Sequence, residues 1–285
     1  MTVTGDTLRQ YLAKADREGF AVPAFNFSDI WDFLAIIEAA EEENAPVMLA
    51  SNPHVADTIG VDICAALGMA ASKKANVPLI LHLDHSPSIE QCKAAVDCGY
   101  PSIMIDASKF PLDENIRVVT EVTKYAAGKK VHVEAEIGRI RGKGYEGGFS
   151  GDDFLVKVDE AAALVKATGV DSLAVGIGTA HGFYEGKPDI NFKRLGEVNQ
   201  AVSIPLVLHG GTGIPEDDIR KAIENGINKV NVGTIIHSTY MNNMREELAK
   251  RGPNPYTLDV VKPVKEKIRE VVKGWIRVCR ANGKA

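Results

Sequence analysis

The sequence contains few cysteines and no long apolar run. Its four cysteines form no CxxC pair and no framework spacing, which fits a protein of the reducing cytosol. The first residues lack a basic segment followed by an apolar one, and no apolar run approaches the roughly 20 residues needed to cross a bilayer. We therefore expect a cytoplasmic protein with no membrane partner.

Blocks of like charge are absent as well. The 33 basic and 38 acidic residues are scattered along the chain and give a formal net charge of -5. Such a distribution offers no electrostatic surface for nucleic acid, so the expected partner is a small molecule. With 285 residues and 45% hydrophobic composition the chain can bury one large core, and we predict a single domain over residues 1–285.

What is present is a repeated alternation of apolar, strand-like runs with segments of helical period. Strands are predicted at 22–27, 46–51, 77–84, 102–106, 130–136, 172–178, 205–209 and 229–232, with helical segments between and after them. A helix over 7–19 precedes the first strand, and a helix near 260–276 lies close to the end. Eight such units in this length favour an α/β fold, a (β/α)8 TIM barrel with additional C-terminal helices, over a doubly wound sheet.

Titratable residues lie at the ends of five of these strands. They are Asp84, His85, Asp106, Glu136, His181 and His209. Because the carboxyl ends of barrel strands share one rim, we expect these side chains to converge. Three imidazoles with an open fourth position are typical of a catalytic zinc site, which polarises a carbonyl group.

The end of the third strand needs a special backbone. His82 and Asp84 share one face of the strand, and His85 can join Asp84 only if the strand bends or stops there. A single histidine at a strand end is more often structural than a ligand, and we interpret His82 and His132 as structural. His54 and His237 are left open.

Three glycine-rich stretches accompany the predicted rim. Residues 210–213 and 231–234 follow the last two strands, where this fold commonly binds phosphate through backbone N–H groups and a helix N-terminus. Residues 138–151 form a candidate mobile loop. The sequence thus places a phosphate site and a metal site on the same rim.

Six motifs carry a resemblance to a known family. They are LHLDH at 81–85, MIDAS at 104–108, VEAE at 133–136, GTAHG at 178–182, LHGGTG at 208–213 and KVNV at 229–232. Together, and in this order over nearly the whole chain, they resemble the class II, metal-dependent fructose/tagatose-bisphosphate aldolases. That resemblance implies an enzyme that reversibly cleaves a ketose 1-phosphate or 1,6-bisphosphate to dihydroxyacetone phosphate and an aldehyde.

The resemblance also implies roles for individual residues. His85, His181 and His209 would hold Zn2+, while Asp106 and Glu136 would form a neighbouring site for a second divalent or a monovalent cation. Asp84 would be the catalytic acid/base, zinc would stabilise the enediolate, and Glu146 on the glycine-rich loop would protonate it. Residues implied to bind substrate are Asn26, Ser51, Gly182, Gly210, Gly211, Thr212, Asn231, Gly233 and Thr234. A homodimer or homotetramer is expected.

Three positions depart from the fructose-bisphosphate pattern. Gly233 stands where fructose-bisphosphate aldolases carry an aspartate and the tagatose branch a small residue, so the chain is closer to the tagatose branch. His237 and the stretch 254–256 stand where the family has basic groups for the distal phosphate. We therefore expect a ketose 1-phosphate whose far end carries no phosphate, unless Arg277 or Arg280 supplies the missing charge.

Other readings remain open. A Schiff-base lyase would need a desolvated lysine at a strand end, and Lys229 is expected to begin its strand and point to the opposite rim. A non-catalytic partner subunit of a tagatose-bisphosphate aldolase would not need three histidines and Asp84. A barrel zinc hydrolase usually has paired histidines on its first strand, which residues 24–27 do not supply.

Overall fold

The computed structural model describes residues 3–142 and 154–285. Eight parallel strands close into a barrel in the order in which they occur along the chain. The strands are β1 (Val22–Asn26), β2 (Val47–Ser51), β3 (Leu79–Ser86), β4 (Ser102–Ile105), β5 (His132–Ile137), β6 (Ser172–Val175), β7 (Leu206–Leu208) and β8 (Ile227–Val232). The predicted (β/α)8 barrel is confirmed.

Helices surround this barrel. They are α1 (Gly5–Glu18), α2 (Ile30–Glu42), α3 (Pro53–Ile59), α4 (Val61–Lys74), α5 (Ile89–Cys98), α6 (Leu112–Ala126), α7 (Val158–Thr168), α8 (Phe192–Ala201), α9 (Glu216–Glu224), α10 (Thr234–Arg251) and α11 (Thr257–Val278). A short 3-10 turn, Ala127–Lys129, follows α6. Helix α3, which follows β2 after one residue, was not predicted from the sequence.

The main apolar core lies between the strands and these helices. Every residue of the eight strands is buried, as expected of a parallel sheet covered on its outer face and closed on its inner face. Inside the barrel, Met104, Ala174 and Val207 form a small separate apolar cluster. The strands also bury polar and charged side chains, among them His82, Ser102, His132, Glu134 and Lys229, which is unusual for a protein core.

Helix α1 closes the amino-terminal end of the barrel. Its Leu8 and Leu12 are fully buried, and its Arg9 guanidinium binds the Asp171 carboxylate at 2.7 Å and the Val131 carbonyl oxygen at 2.8 Å. Residue Asp171 immediately precedes β6, so these contacts tie α1 to the starts of the strands. The carboxyl-terminal rim is the end that remains available for a site.

The last helix, α11, packs against α2 and α10 of the same chain. Arg277 pairs with Glu43 at 2.6 Å, and Arg280 pairs with Glu224 at 2.6 Å. Both glutamates lie at the carboxyl ends of helices that lead back to strand starts, so both arginines are at the amino-terminal end of the barrel. The suggestion that Arg277 or Arg280 supplies charge to the substrate is therefore wrong.

The described residues contain no single helix with the length and apolar composition needed to cross a membrane. Helices α3 and α4 meet that criterion only when taken together, and they are bent by 97° at their junction. All four cysteines are free thiols.

Candidate active site

A bulge at the end of β3 sets the position of two predicted site residues. Leu83 pairs with Ile103 of β4 and Ser86 pairs with Ile105, so two residues of β3 stand opposite a single residue of β4. The extra residue is accommodated by His85, whose φ of 49° lies in the left-handed region. The backbone irregularity predicted for this strand end is present, and it brings His85 and Asp84 to the same side.

The three predicted histidines meet above the barrel. His85 Nε2 lies 2.7 Å from His209 Nδ1, and the His85 and His181 rings are 4.9 Å apart between centroids. One nitrogen from each ring falls within 4.8 Å of the other two, a spacing that can hold one metal ion. Three strand ends thus form one cluster, as the sequence indicated.

A second group of possible ligands shares His85. Its Nδ1 lies 3.2 Å from Asp106 Oδ2 and 3.9 Å from Glu136 Oε2. Among the described residues, both oxygens of Glu136 and the Nδ1 atom of His181 are buried without a hydrogen-bond partner. Buried polar atoms are normally satisfied, so these atoms fit a site that receives cations.

The electrostatics of the cluster are set by burial and by the three carboxylates. Burial opposes protonation of His85, but Asp84, Asp106 and Glu136 raise the pKa of His85 to about 10. Burial, with Asp106 adding to it, holds the pKa of Glu136 well above its usual range. A cation bound between these groups would replace the proton, as metal ligands require.

The other two imidazoles behave in the opposite way. Burial and the neighbouring His85 lower the pKa of His181 to about 3. Burial, again with His85 adding to it, lowers the pKa of His209 well below its usual range. Both rings are therefore neutral near pH 7, the state in which an imidazole nitrogen can coordinate a metal.

Asp84 is held by two side-chain amides. The Nδ2 atom of Asn26 donates to Asp84 Oδ2 at 2.9 Å, and the Nδ2 atom of Asn231 donates to Oδ1 at 2.9 Å. Burial works against ionisation, but His85, His209 and Lys229 together with the Asn26 bond lower the pKa of Asp84. The result is an ionised carboxylate in a fixed orientation beside the histidines.

Two glycines allow the loops of this rim to approach closely. A Cβ at Gly210, whose φ is 70°, would collide with the Ala180 carbonyl oxygen of the loop that carries His181. A Cβ at Gly233 would lie 2.8 Å from Asn26 Oδ1 and would displace the amide that holds Asp84. Any larger residue at either position would disturb the site.

Most of the predicted substrate residues line one narrow cavity with the histidines. Its walls are formed by Asn26, Asp84, His85, His181, Gly210, Gly211, Thr212, Asn231, Gly233 and Thr234. Gly182 follows His181 in the same loop with φ of 96°. Ser51 is not brought together with them: it is fully buried, and its hydroxyl lies 3.0 Å from Tyr100 Oη. Glu146 lies outside the described residues.

The position predicted for Lys229 is also wrong. It is the third residue of β8, fully buried inside the barrel, and its Nζ lies 2.7 Å from Glu134 Oε2 and 3.3 Å from His82 Nε2. The short strand assignment, 229–232, placed it at the opposite rim. It lies instead directly below the histidine cluster, with its ammonium paired to a carboxylate.

Two further residues at the site were not singled out from the sequence. Glu134 accepts a hydrogen bond from His209 Nε2 at 2.9 Å, and the signal was available because Glu134 and Glu136 must face the same side of β5. Tyr184 Oη accepts the Ala180 N–H at 2.8 Å and donates to the Gly210 carbonyl oxygen at 3.1 Å. No sequence pattern identifies Tyr184, since its bond to Gly210 joins its own loop, which also carries Ala180 and His181, to the loop after β7.

Comparison with known proteins agrees with this geometry. The chain matches the family Fructose-bisphosphate aldolase class-II over residues 6–284. It is 38% identical over 282 residues to a 6-phospho-5-dehydro-2-deoxy-D-gluconate aldolase of Bacillus velezensis, covering 98% of this chain and 97% of that protein. It is also 38% identical over 284 residues to a fructose-bisphosphate aldolase of Geobacillus stearothermophilus, covering 98% of both.

A solved structure gives the same answer for the fold. The crystal structure of the YdjI aldolase from Escherichia coli K12 superposes with a TM-score of 0.86 at 33% sequence identity, covering 98% of both chains. The family match over residues 6–284 includes all eight strands of the barrel and the three convergent histidines. The chain belongs to the class II fructose-bisphosphate aldolase family.

Proposed function

We propose that the chain is a zinc-dependent aldolase that cleaves a ketose 1-phosphate to dihydroxyacetone phosphate and an aldehyde whose far end carries no phosphate. The observation that carries the proposal is the meeting of His85, His181 and His209 beside a clamped Asp84 carboxylate. The fold alone would permit many reactions, whereas this local arrangement supports one kind of chemistry.

His85, His181 and His209 would hold the zinc ion, and Asp106 with Glu136 would hold a second cation that shares His85. When bound, zinc supplies a Lewis acid that stabilises the negative charge left on the ketone oxygen as the carbon–carbon bond breaks. Three imidazoles suit a borderline-soft divalent ion, which would take the place of the proton on His85. The family assignment supports a metal-dependent reaction in general, and the donor set supports zinc.

Asp84 is the proposed base of the cleavage step. Its carboxylate would take the proton from the C4 hydroxyl of the ketose while the C3–C4 bond breaks and the C4 oxygen becomes an aldehyde. The amides of Asn26 and Asn231 keep both of its oxygens directed, so a substrate hydroxyl meets an acceptor already in place. Glu146 remains the proposed acid that protonates C3 of the enediolate, which gives dihydroxyacetone phosphate.

The glycine-rich loops after β7 and β8 are the proposed phosphate site. Gly210, Gly211 and Thr212 line the same cavity as Thr234, the first residue of the 18-residue helix α10. Backbone N–H groups of these loops and the positive end of the helix favour an anion there. The phosphate beside the ketone would thus be bound within reach of the histidines.

The far end of the substrate is where this chain departs from the bisphosphate pattern. His237 occupies the position of an expected basic group, but its Nδ1 contacts Ser28 Oγ at 2.8 Å and burial lowers its pKa. It is therefore neutral near pH 7 and cannot pair with a phosphate as an arginine would. The named substrate of the Bacillus velezensis relative also carries a single phosphate, next to its ketone.

The test compares kcat/KM for fructose and tagatose 1,6-bisphosphates with kcat/KM for the corresponding 1-phosphates and for 6-phospho-5-dehydro-2-deoxy-D-gluconate. We expect at least a tenfold preference for substrates with a single phosphate. A strong preference for either bisphosphate would refute the proposed far end and leave the aldolase assignment intact. No turnover of any of them by the purified chain would favour the partner-subunit alternative.

The proposed setting is a cytosolic homodimer or homotetramer. The four free cysteines fit a reducing compartment. Light scattering coupled to size-exclusion chromatography tests the subunit number, and a monomer at micromolar concentration would contradict it.

A further inference from the structure

A fully buried ion pair lies directly beneath the histidine cluster. Glu134 of β5 and Lys229 of β8 have no solvent exposure, and Lys229 Nζ donates to Glu134 Oε2 at 2.7 Å. A pair of apolar side chains at such a place often stabilises a protein as well or better, because both charges lose their hydration on burial. Stabilisation of the fold therefore does not explain why an ion pair occupies this place.

The other oxygen of Glu134 contacts the proposed metal site. Oε1 lies 2.9 Å from Nε2 of His209, while Oε2 faces the lysine ammonium. A carboxylate held by an ammonium accepts hydrogen bonds and does not donate them, so Nε2 of His209 must carry the ring proton. With the ring proton on Nε2, the Nδ1 atom is the acceptor, and it accordingly faces an amide donor, Nδ2 of Asn231, at 3.3 Å.

The Nδ1 lone pair of His209 faces the cluster. Nδ1 of His209 lies 2.7 Å from His85 Nε2 and 3.3 Å from Asn231 Nδ2, which can donate to it. His85 has a similar arrangement on its other side, where Asp106 Oδ2 lies 3.2 Å from Nδ1. Two carboxylates thus stand behind two imidazoles and turn their remaining nitrogens toward the same point.

The lysine is also fixed from below. Its Nζ lies 3.3 Å from Nε2 of His82, whose Nδ1 lies 2.8 Å from Ser102 Oγ, and this hydroxyl lies 3.3 Å from Nδ1 of His132. One assignment of protons satisfies the whole series, with Lys229 donating to His82, His82 to Ser102 and Ser102 to His132. Lys229 thus donates one N–H to His82 and another to Glu134, and the contacts below it keep the ammonium in this position.

From these contacts we infer that Glu134, with Lys229 as its charge partner, is a positioning residue that fixes the tautomer of His209 for metal binding. The inference rests on the proposed metal site, because His209 Nδ1 matters in this way only if it is a ligand. Hydrogen bonds of this kind behind metal-bound histidines commonly change metal affinity by roughly 10–100-fold.

The variant Glu134→Gln separates this role from simple packing. With Lys229 present, the glutamine oxygen turns to the ammonium and its NH2 group faces His209 Nε2, which must then become an acceptor. The ring proton moves to Nδ1 and the lone pair is lost from the cluster. We expect zinc affinity to fall about 10–100-fold, measured as zinc alone in competition with a chromophoric chelator.

The matched control is Lys229→Met, which leaves Glu134 bonded to His209. It removes the charge partner and is expected to lower Tm, and it should weaken zinc binding less than Glu134→Gln does, because a carboxyl oxygen of Glu134 can still accept the Nε2 proton of His209. The double variant Glu134→Gln/Lys229→Met frees the glutamine to offer its oxygen to His209 and should recover much of the lost affinity. Loss of affinity in proportion to loss of Tm across all three variants would overturn the inference.

A direct measurement on the unsubstituted, metal-free protein needs no variant to fold. Long-range 1H-15N spectra of the histidine rings should show His209 with its proton on Nε2, assigned by the signal missing in His209→Asn. A proton on Nδ1 would overturn the inference. If the unsubstituted protein binds no zinc, the proposed function fails; if it binds zinc and Glu134→Gln binds equally well, this inference alone fails.

Discussion

Asp84 and His85 are neighbours in the chain with separate expected roles. Asp84 has both carboxylate oxygens held by amides, whereas His85 directs one nitrogen to His209 and the other to Asp106. Asp84→Ala should therefore keep one zinc ion per chain and lower kcat by at least roughly 100-fold, since it removes the general base. His85→Ala should lose the metal.

Metal analysis after gel filtration and initial-rate assays on the same preparations check this pair. The control is His54→Ala, a substitution of an exposed histidine on α3 outside the cluster, which should keep the zinc. Loss of zinc from Asp84→Ala would mean that Asp84 is itself a ligand, and the assignment of the base would have to be abandoned.

Asp32 gives the protein a pH-dependent stability. Its buried carboxyl accepts the N–H groups of Ser28 and Asp29, but burial is the larger effect and raises the pKa of Asp32 to about 7. Between the unfolded value near 3.8 and about 7, the folded state binds more protons than the unfolded state. The contribution of this group to stability therefore falls as pH rises through that window.

The check is the free energy of unfolding at pH 5 and at pH 8, for the unsubstituted protein and for Asp32→Asn. The unsubstituted protein should lose more stability between the two pH values than the variant, by an amount on the order of a few kcal/mol. Equal losses in both proteins would show that Asp32 ionises normally in the folded state.

The facing of single side chains on a strand was partly predictable from the sequence. Alternation along a strand was enough to place His82 and Asp84 on one face and to require an irregular backbone at His85. The same rule applied to β5 could have identified Glu134. Alternation also puts Lys229 on the same face as Asn231, but its height in the barrel was missed because the predicted strand began two residues after the observed start at Ile227.

At the scale of elements, two loops carry His181 and His209, two of the three histidines of the proposed metal site, and Tyr184 joins these loops. Its hydroxyl bonds the loop of His181 through Ala180 and the loop of His209 through Gly210. Tyr184→Phe leaves the Ala180 N–H without this partner, which should destabilise the protein by about 1–3 kcal/mol. The histidine spacing should loosen, and zinc affinity should fall roughly tenfold.

Urea unfolding and the zinc competition assay measure both effects. Tyr125→Phe is the matched control, since that hydroxyl bonds the surface carboxylate of Asp97 at 2.8 Å, far from the metal-site loops. A Tyr184→Phe protein with unchanged zinc affinity would show that the loops hold the histidines without this link.

The strands and the longer helices were predictable from the sequence, whereas the short helix α3 was not. The eight strands followed from apolar runs bounded by turn signals, and most helices from their period. Helix α3, Pro53–Ile59, is only 7 residues long and too short to show a period, although Asn52 does cap it by accepting the Val55 N–H. The bulge of β3 depends on its register with β4, which is a property of two strands together.

At the scale of the whole molecule, the barrel has two ends with different tasks. Helix α1 and its Arg9 contacts close the amino-terminal end, and the interior between the ends carries polar groups from His132 up to Glu134 and Lys229. At the open end, buried atoms of Glu136 and His181 have no hydrogen-bond partner among the described residues. A cation bound at the proposed site would satisfy these atoms, so metal binding and stability should be linked in this protein.

Removal of the metal is the prediction that belongs to this scale. Zinc at about 1,000 times its Kd stabilises a native protein by roughly 4 kcal/mol, and large domains gain about 2–4 °C in Tm per kcal/mol. A chelator should thus abolish turnover and lower Tm by about 10 °C, and added zinc should restore both. Borohydride with substrate should trap no adduct, because the Lys229 ammonium is engaged by Glu134.

The opposite pair of results, activity that survives the chelator and a borohydride adduct on Lys229, would require a Schiff-base mechanism inside the barrel. The contacts oppose it on physical grounds. A lysine nucleophile must be free to reach the substrate carbonyl, whereas Lys229 Nζ is fully buried and is bonded to Glu134 Oε2 at 2.7 Å and His82 Nε2 at 3.3 Å. Glu134 binds Lys229 through Oε2 and His209 through Oε1. The borohydride experiment and the zinc-affinity experiment on Glu134→Gln therefore both test the same Glu134–Lys229 ion pair.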